Sequence, residues 1–130
     1  MHTIIKDVND YVKEKVTLYA MPVLTLFQDN DADEIMIRQE PSNTVETRYL
    51  DGSRVGEINF AYFTKSDDQQ KAEEQLYNIQ SVLDLSCLTE IARGTFVKIE
   101  TVTDTLFVQK TEKNEYVFTS SFKLEYHKQK

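Results

Sequence analysis

The sequence has few of the residues that build disulfide frameworks, metal sites and flexible linkers. Its one cysteine, Cys87, cannot form a disulfide within the chain, which fits a reducing compartment. Neither Cys87 nor the two histidines show the spacing of a zinc site. Three glycines and two prolines in 130 residues argue against low-complexity linkers, and no internal repeat is visible.

Long apolar runs are also missing. The longest, residues 20–27, contains Pro22 and is interrupted by Thr25, and it is far shorter than the roughly 20 residues that a membrane span needs. The N-terminal residues lack the basic-then-apolar layout of a secretion signal. We therefore expect neither a membrane partner nor a secretory leader.

The chain has fewer basic residues than acidic ones. Lys and Arg number 15 against 22 Asp and Glu, which gives a formal charge of −7. This balance disfavours tight binding of nucleic-acid phosphates, although it is compatible with a surface that repels DNA. Hydrophobic residues make up 40 % of the chain, so we predict a packed core, and the length suits one domain over residues 1–130.

Two segments have the spacing of amphipathic helices. In residues 3–19 apolar side chains recur at three- and four-residue steps, and Pro22 is expected to end this helix. Residues 66–85 form the clearest element, and we predict that Ser66 and Gln69 make a capping box at its start. The buried stripe of this second helix is predicted to consist of Ala72, Leu76, Ile79 and Leu83.

The remaining segments are rich in β-forming residues. Residues 23–28 are expected to be extended, and strands are predicted at residues 35–39, 44–50, 55–64, 96–102, 106–110 and 116–126. We predict that Ile58, Phe60 and Tyr62 share one strand face and pack on the helical stripe. The order is helix, three strands, helix, three strands. It indicates an α+β fold, a mostly antiparallel β-sheet with two α-helices packed on one face.

The sequence offers no catalytic constellation. His2 and His127 lie near the chain ends and are interpreted as surface side chains. Cys87 has apolar neighbours and no flanking cation to lower its pKa, so it is interpreted as a structural thiol. No glycine-rich phosphate loop is present. We expect no catalytic, cofactor-binding or metal-binding residues, no cofactor and no enzyme activity.

One acidic pattern resembles a calcium loop. Asp29, Asp31, Asp33 and Glu40 reproduce the acidic spacing of an EF-hand. The sixth position, where glycine allows the sharp turn, is Glu34, and a strand rather than a helix is predicted to follow. We interpret this segment as a solvated acidic loop.

Five segments together carry a family resemblance. They are residues 35–42 (IMIRQEPS), 48–54 (RYLDGSR), 60–65 (FAYFTK), 67–70 (DDQQ) and 108–118 (VQKTEKNEYVF). In this order and spacing the chain resembles the minor capsid or tail-terminator proteins of long-tailed phages and prophages of Gram-positive bacteria. The resemblance covers nearly the whole chain and rests on order and spacing together.

The resemblance implies a structural protein of the virion, assembled in the host cytoplasm and located at the head–tail junction. It implies a homo-hexameric ring, which can be monomeric when free, that caps the tail tube and provides a docking face for the filled head. The implied partners are copies of the chain, the tail tube protein and a head-completion or neck protein, while DNA passes through the lumen without specific binding. The family has no catalytic residues to carry over.

A closed ring needs contacts between two different patches of neighbouring subunits. The edge of the strand that ends at Tyr126 and the loops at residues 28–34 and 44–54 are candidates for such contacts. Two other interpretations stay open. The chain could be another neck or tail component, such as a stopper or tube protein. It could instead be a ligand-binding module or enzyme, which predicts a deep pocket with convergent polar groups.

Overall fold

The computed structural model describes residues 3–24, 27, 32–41, 47–84, 89–92 and 94–129. The elements are α1 (Thr3–Lys15), β1 (Pro22–Leu24), β2 (Glu34–Glu40), β3 (Thr47–Arg48), β4 (Arg54–Ser66), α2 (Gln69–Leu83), β5 (Thr89–Ala92), β6 (Thr95–Lys110) and β7 (Tyr116–Lys128). In the described residues, seven strands form one sheet in the order β1-β2-β4-β7-β6-β5, with β3 paired to β4. The parallel β1–β2 pair is the exception to an antiparallel sheet.

The centre of the sheet is the antiparallel pair β4 and β7, which is hydrogen-bonded along its whole length. Ile58, Phe60 and Tyr62 alternate along β4 and are buried on one face, as predicted. The Phe60 ring stacks on that of Phe122 in β7, with centroids 5.3 Å apart. This aromatic layer is the middle of the core.

Both helices pack on that same face, so the predicted α+β fold is confirmed. The hydroxyl group of Tyr62 donates a hydrogen bond to the Asn9 side chain of α1 at 3.0 Å. The hydroxyl group of Thr64 donates to the Ala72 carbonyl of α2 at 2.9 Å. The predicted α2 stripe is fully buried in the same cluster as the aromatic layer: Ala72, Leu76, Ile79 and Leu83.

The start of α2 differs from the prediction, because Ser66 is the last residue of β4. The helix is capped instead by Asp68, whose side chain accepts from the backbone N–H groups of Gln70 and Lys71. The hydroxyl group of Ser66 accepts a hydrogen bond from the Asp68 backbone N–H at 3.1 Å. The capping box of Ser66 and Gln69 is therefore wrong, although Ser66 does support the residue that forms the cap.

The first helix is shorter than predicted and ends at Lys15. The chain leaves the helix because Tyr19 is held elsewhere. Its backbone N–H donates to the Gln75 side chain at 2.8 Å, and its hydroxyl group donates to the Lys65 carbonyl at 2.9 Å. Pro22 begins β1 rather than ending the helix.

The observed strands also correct other predictions. The strands predicted at residues 96–102 and 106–110 are one bulged strand, β6, and the strand β5 was missed. The strand that ends near Tyr126, expected to present an exposed edge, is β7 in the middle of the sheet. Of the strand predicted at residues 44–50, only Thr47–Arg48 is a strand among the described residues.

Candidate assembly surface

Among the described residues, the outer side of β6 beyond Val97 is an open sheet edge. β7 pairs with β6 along its inner side, whereas β5 pairs with its outer side only at Thr95, Phe96 and Val97. Within the described chain, no strand pairs with the outer side of residues 98–110. Unpaired backbone groups at such an edge can accept a strand or turn from another chain.

β6 is irregular in its middle and distal parts, where it carries bulges and a contact with a glutamine side chain. The β6–β7 register shifts between Thr101 and Thr103, between Thr103 and Leu106, and between Phe107 and Gln109. At the second of these shifts Gln80 reaches over from α2. Its side-chain oxygen accepts from the backbone N–H of Thr105 at 2.9 Å and from the Thr105 hydroxyl group at 2.8 Å. Its amide nitrogen donates to Asp104 at 2.8 Å. The same Gln80 oxygen also accepts from the Ser120 hydroxyl group of β7 at 3.4 Å, so Gln80 holds the bulged middle of β6 against α2 and β7.

The distal part exposes three consecutive apolar side chains, Leu106, Phe107 and Val108, which we call the β6 strip. Their exposed fractions are 45, 48 and 45 %. On one side the Phe107 ring contacts Phe118 edge-on, with centroids 5.6 Å apart. Contiguous exposed apolar residues on a soluble protein mark interaction surfaces more often than isolated ones do. The β6 strip is therefore the best candidate for a contact with another chain.

The base of the β6–β7 hairpin is anchored by a buried ion cluster. The Nζ atom of Lys65 lies 2.6 Å from the Glu34 carboxylate and 3.8 Å from that of Glu115. Glu115 also accepts a hydrogen bond from the Thr111 hydroxyl group at 3.1 Å. These contacts join the hairpin turn to β2 and β4, so the β6 strip projects from a fixed base.

A second exposed apolar pair lies at the opposite end of the sheet. The turn at residues 49–53 has the predicted Asp-Gly-Ser chemistry: Asp51 accepts from the backbone N–H and the hydroxyl group of Ser53, and Gly52 has a φ of 91°. The hydrogen bonds from Ser53 lower the pKa of Asp51. Tyr49 and Leu50, which we call the turn patch, are 54 % and fully exposed.

The acidic residues of the calcium-like pattern do not converge where the structure describes them. Asp33 directly precedes β2 and Glu40 is the last residue of that strand, so the two lie at its opposite ends. Asp33 pairs with Lys71, and Glu40 pairs with Arg38 at 3.0 Å. Asp29 and Asp31 lie outside the described residues. In the part of the chain that the structure describes, no three His, Cys, Asp or Glu side chains group as a metal site.

The other candidate residues of the sequence are dispersed. His127 is exposed near the end of β7, while His2 and Cys87 lie outside the described residues. A surface groove runs between α2 and the segment after α1. Its lining includes Thr17, Tyr19, Lys71, Glu74, Gln75 and Asn78.

At one end of this groove Asp33 forms an ion pair with Lys71. Partial burial acts to raise the pKa of Asp33, but hydrogen bonds from Lys71 and Ser66 outweigh it, so the pKa is lowered. The hydrogen bond with Asp33 raises the pKa of Lys71. The pair ties the segment before β2 to the first turn of α2.

Residues 106–108 were predicted to be in a strand, but their exposure to solvent was not predicted. The sequence feature that could have indicated exposure is the run Leu-Phe-Val, which departs from the apolar–polar alternation expected of a strand with one solvent-facing side. Such a run is equally typical of a strand buried on both faces, and only the pairing partners distinguish the two cases.

No protein-family model matches the chain, and no curated protein matches it either. Neither α1 nor α2, the helices in the described residues, has the length and apolar character needed to cross a lipid bilayer.

Proposed function

We propose that this protein is a structural component of a phage virion, a tail-terminator subunit at the head–tail junction. In this role copies of the chain form a ring on the end of the tail tube, stop its polymerisation and present a face to the head-completion protein. The proposal starts from the sequence resemblance to minor capsid and tail-terminator proteins. The observation that supports it best is the β6 strip on an open strand edge.

An open apolar edge suits a subunit that is completed by its neighbours. A strand edge left unpaired is an aggregation hazard, which proteins avoid by covering it, shortening it or charging it. Here the distal segment of β6 keeps apolar side chains in solvent. In a ring, contact with a neighbouring subunit or with the tube protein would bury them.

The distribution of charge supports a surface that faces passing DNA. Five exposed acidic residues lie on or beside the outer side of α2, and Lys71 is the one basic residue of that helix. The acidic residues are Asp67, Asp68, Glu73, Glu74 and Asp84. Phosphate groups are repelled by such a surface, because binding to DNA depends on cationic side chains. We therefore assign the α2 side to the lumen of the ring.

The proposal is tested by deleting the gene from the phage or prophage that encodes it and imaging the particles by electron microscopy. A tail terminator is required to stop tube growth, so we expect tails of irregular and excessive length. Tails of normal length on joined particles would reject the terminator role. A complete absence of tails would indicate a tube protein, and normal tails separated from heads would indicate a stopper or other neck protein.

A further inference from the structure

A buried cluster of three charged side chains lies at the hairpin end of the sheet. Lys65 of β4 is the shared cation, Glu34 of β2 is its nearer partner, and Glu115 at the end of the hairpin turn is the second. All three side chains are more than nine-tenths buried. Two carboxylates and one ammonium group leave an excess of one negative charge in the cluster.

The cluster joins parts of the fold that are distant in the chain. Glu34 and Lys65 are direct neighbours across the β2–β4 pair. Glu115 belongs to the turn between β6 and β7, where its carbonyl accepts from the Thr111 backbone N–H at 2.8 Å and its carboxylate from the Thr111 hydroxyl group. The side-chain connection between the hairpin turn and β2 therefore passes through the ammonium group of Lys65.

Aromatic groups enclose the cluster on two sides. The ring of Phe27 lies 5.1 Å from the Nζ atom of Lys65, measured to the ring centroid. The hydroxyl group of Tyr19 donates to the Lys65 carbonyl and, at 3.4 Å, to the Glu34 carbonyl. These contacts leave the charged atoms of the cluster little access to water.

Other charged groups surround the cluster at the same end of the sheet. Among the described residues they are Asp33, Asp67, Asp68 and Lys71 towards α2, and Lys110, Glu112 and Lys113 in the hairpin. Lys71 is paired with Asp33, and Lys110 lies over the ring of Tyr116 at 5.3 Å. These two lysines are thus engaged elsewhere, and Lys65 holds both buried carboxylates.

A buried ion cluster is a costly way to join strands. Apolar side chains of similar volume often stabilise a fold as well or better, because charges lose their hydration on burial. What a charged cluster adds is a response to protonation. When the carboxylates take up protons, Lys65 keeps its charge, and an ammonium group buried without a counter-ion is strongly unfavourable. The strands around it then separate enough to admit water.

We infer that the cluster is an acid-sensitive joint, in which protonation of the carboxylates releases the β6–β7 hairpin from β2 and β4 while the centre of the sheet stays folded. The centre does not depend on ionised groups, since Ile58, Phe60 and Phe122 are held by apolar contacts. The hairpin carries the β6 strip, so acidification changes how that surface is presented. The inference does not depend on the terminator role.

The inference is tested by amide hydrogen exchange of the full chain, followed by NMR at about pH 7 and at about pH 3, where free glutamate is largely protonated. Protection factors correct for the intrinsic effect of pH on exchange. They are compared for residues 109–117 at the hairpin end and residues 120–124 near the centre of β7. On acidification we expect hairpin protection to fall about tenfold more than central protection, since a local opening exposes its own amides.

A charge-free variant shows whether the cluster causes this opening. It combines Glu34→Gln, Lys65→Met and Glu115→Gln, and it retains the nearby pair of Asp33 with Lys71. We expect its hairpin protection to change with pH no more than its central protection does. If this variant does not fold, Glu115→Gln alone is measured, and its acid-dependent loss of hairpin protection should be smaller than that of the parent.

The control is Glu57→Gln, because Glu57 pairs with Lys123 at 3.5 Å in a partly exposed site away from the hairpin. This variant should open in acid as the parent does. The inference is overturned if the hairpin and the centre of the parent lose protection equally, or if hairpin protection does not fall. It is also overturned if removal of the cluster charges leaves the acid response of the hairpin unchanged.

Discussion

The side-chain oxygen of Gln80 in α2 accepts a hydrogen bond from the backbone N–H of Thr105 in β6, at 2.9 Å. The same oxygen accepts from the Thr105 hydroxyl group, and the Gln80 amide donates to Asp104. The bulged middle of β6 is thus held against the helix layer, and the position of the β6 strip depends on it.

Replacing Gln80 with alanine should lower the free energy of unfolding by about 1–2 kcal/mol, since it removes several hydrogen bonds and leaves backbone and side-chain donors without their partner. Urea denaturation measures this loss. The control is Ser81→Ala on the exposed side of the same helix, for which we expect a change below about 0.5 kcal/mol. Equal effects of the two substitutions would show that Gln80 does not hold the bulge.

Replacing Phe60 with alanine should cost roughly 3–5 kcal/mol, because the ring is fully buried and stacks on Phe122. The matched control is Phe63→Ala, on the opposite face of β4, where the ring is only partly buried beneath Arg38. Equilibrium unfolding of the two variants should rank Phe60 well above Phe63. A loss under about 1 kcal/mol for Phe60→Ala would mean that the core lies on the other face.

Replacing Lys65 with methionine should cost about 3–5 kcal/mol, because it leaves the buried carboxylates of Glu34 and Glu115 without their shared cation. Lys123 provides the comparison, since it pairs with Glu57 at 3.5 Å but is 40 % exposed. We expect Lys123→Met to cost less than about 1 kcal/mol. Chemical denaturation at neutral pH distinguishes the two, and similar losses would contradict a buried cluster at the hairpin base.

The ion pair of Asp33 with Lys71 should make the stability of the folded protein depend on pH at the acidic end of the range. The pKa of Asp33 is lowered in the folded protein from its usual 3.8, so its contribution is complete above that value and is lost as the pH falls through the folded pKa. Asp33→Asn should therefore reduce the fall in melting temperature as the pH drops below about 4. If the melting temperature of the variant falls with pH as much as that of the parent, other carboxylates cause the loss of stability in acid.

The sequence predicted the elements whose side chains repeat regularly. The α2 stripe from Ala72 to Leu83 and the buried face of β4 follow from periods of about 3.6 and 2, and both are confirmed. The helix start was misplaced because Ser66 and Asp68 are both good capping residues, and the end of β4 decides between them. The first helix was predicted to be too long, because the local spacing of apolar residues carries no information about the tertiary hydrogen bonds of Tyr19.

The candidate assembly surface could be predicted only in part. The turn at residues 49–53 follows from local chemistry and is confirmed. The β6 strip could not be recognised as exposed, because its exposure depends on β5 ending its pairing with β6 at Val97. Strand order is set by long-range pairing, and one sequence alone did not reveal that β7 is central and β6 has the open edge.

The most direct test of the account complements the deletion strain with a variant of the β6 strip and measures the distribution of tail lengths. The variant is Phe107→Asp, chosen because this side chain is half exposed and its loss should leave folding intact, as a melting curve can verify. The account predicts that the parent gene restores tails of uniform length and that folded Phe107→Asp leaves them overlong. Uniform tails of normal length with the variant would contradict a role of the β6 strip in terminating the tail.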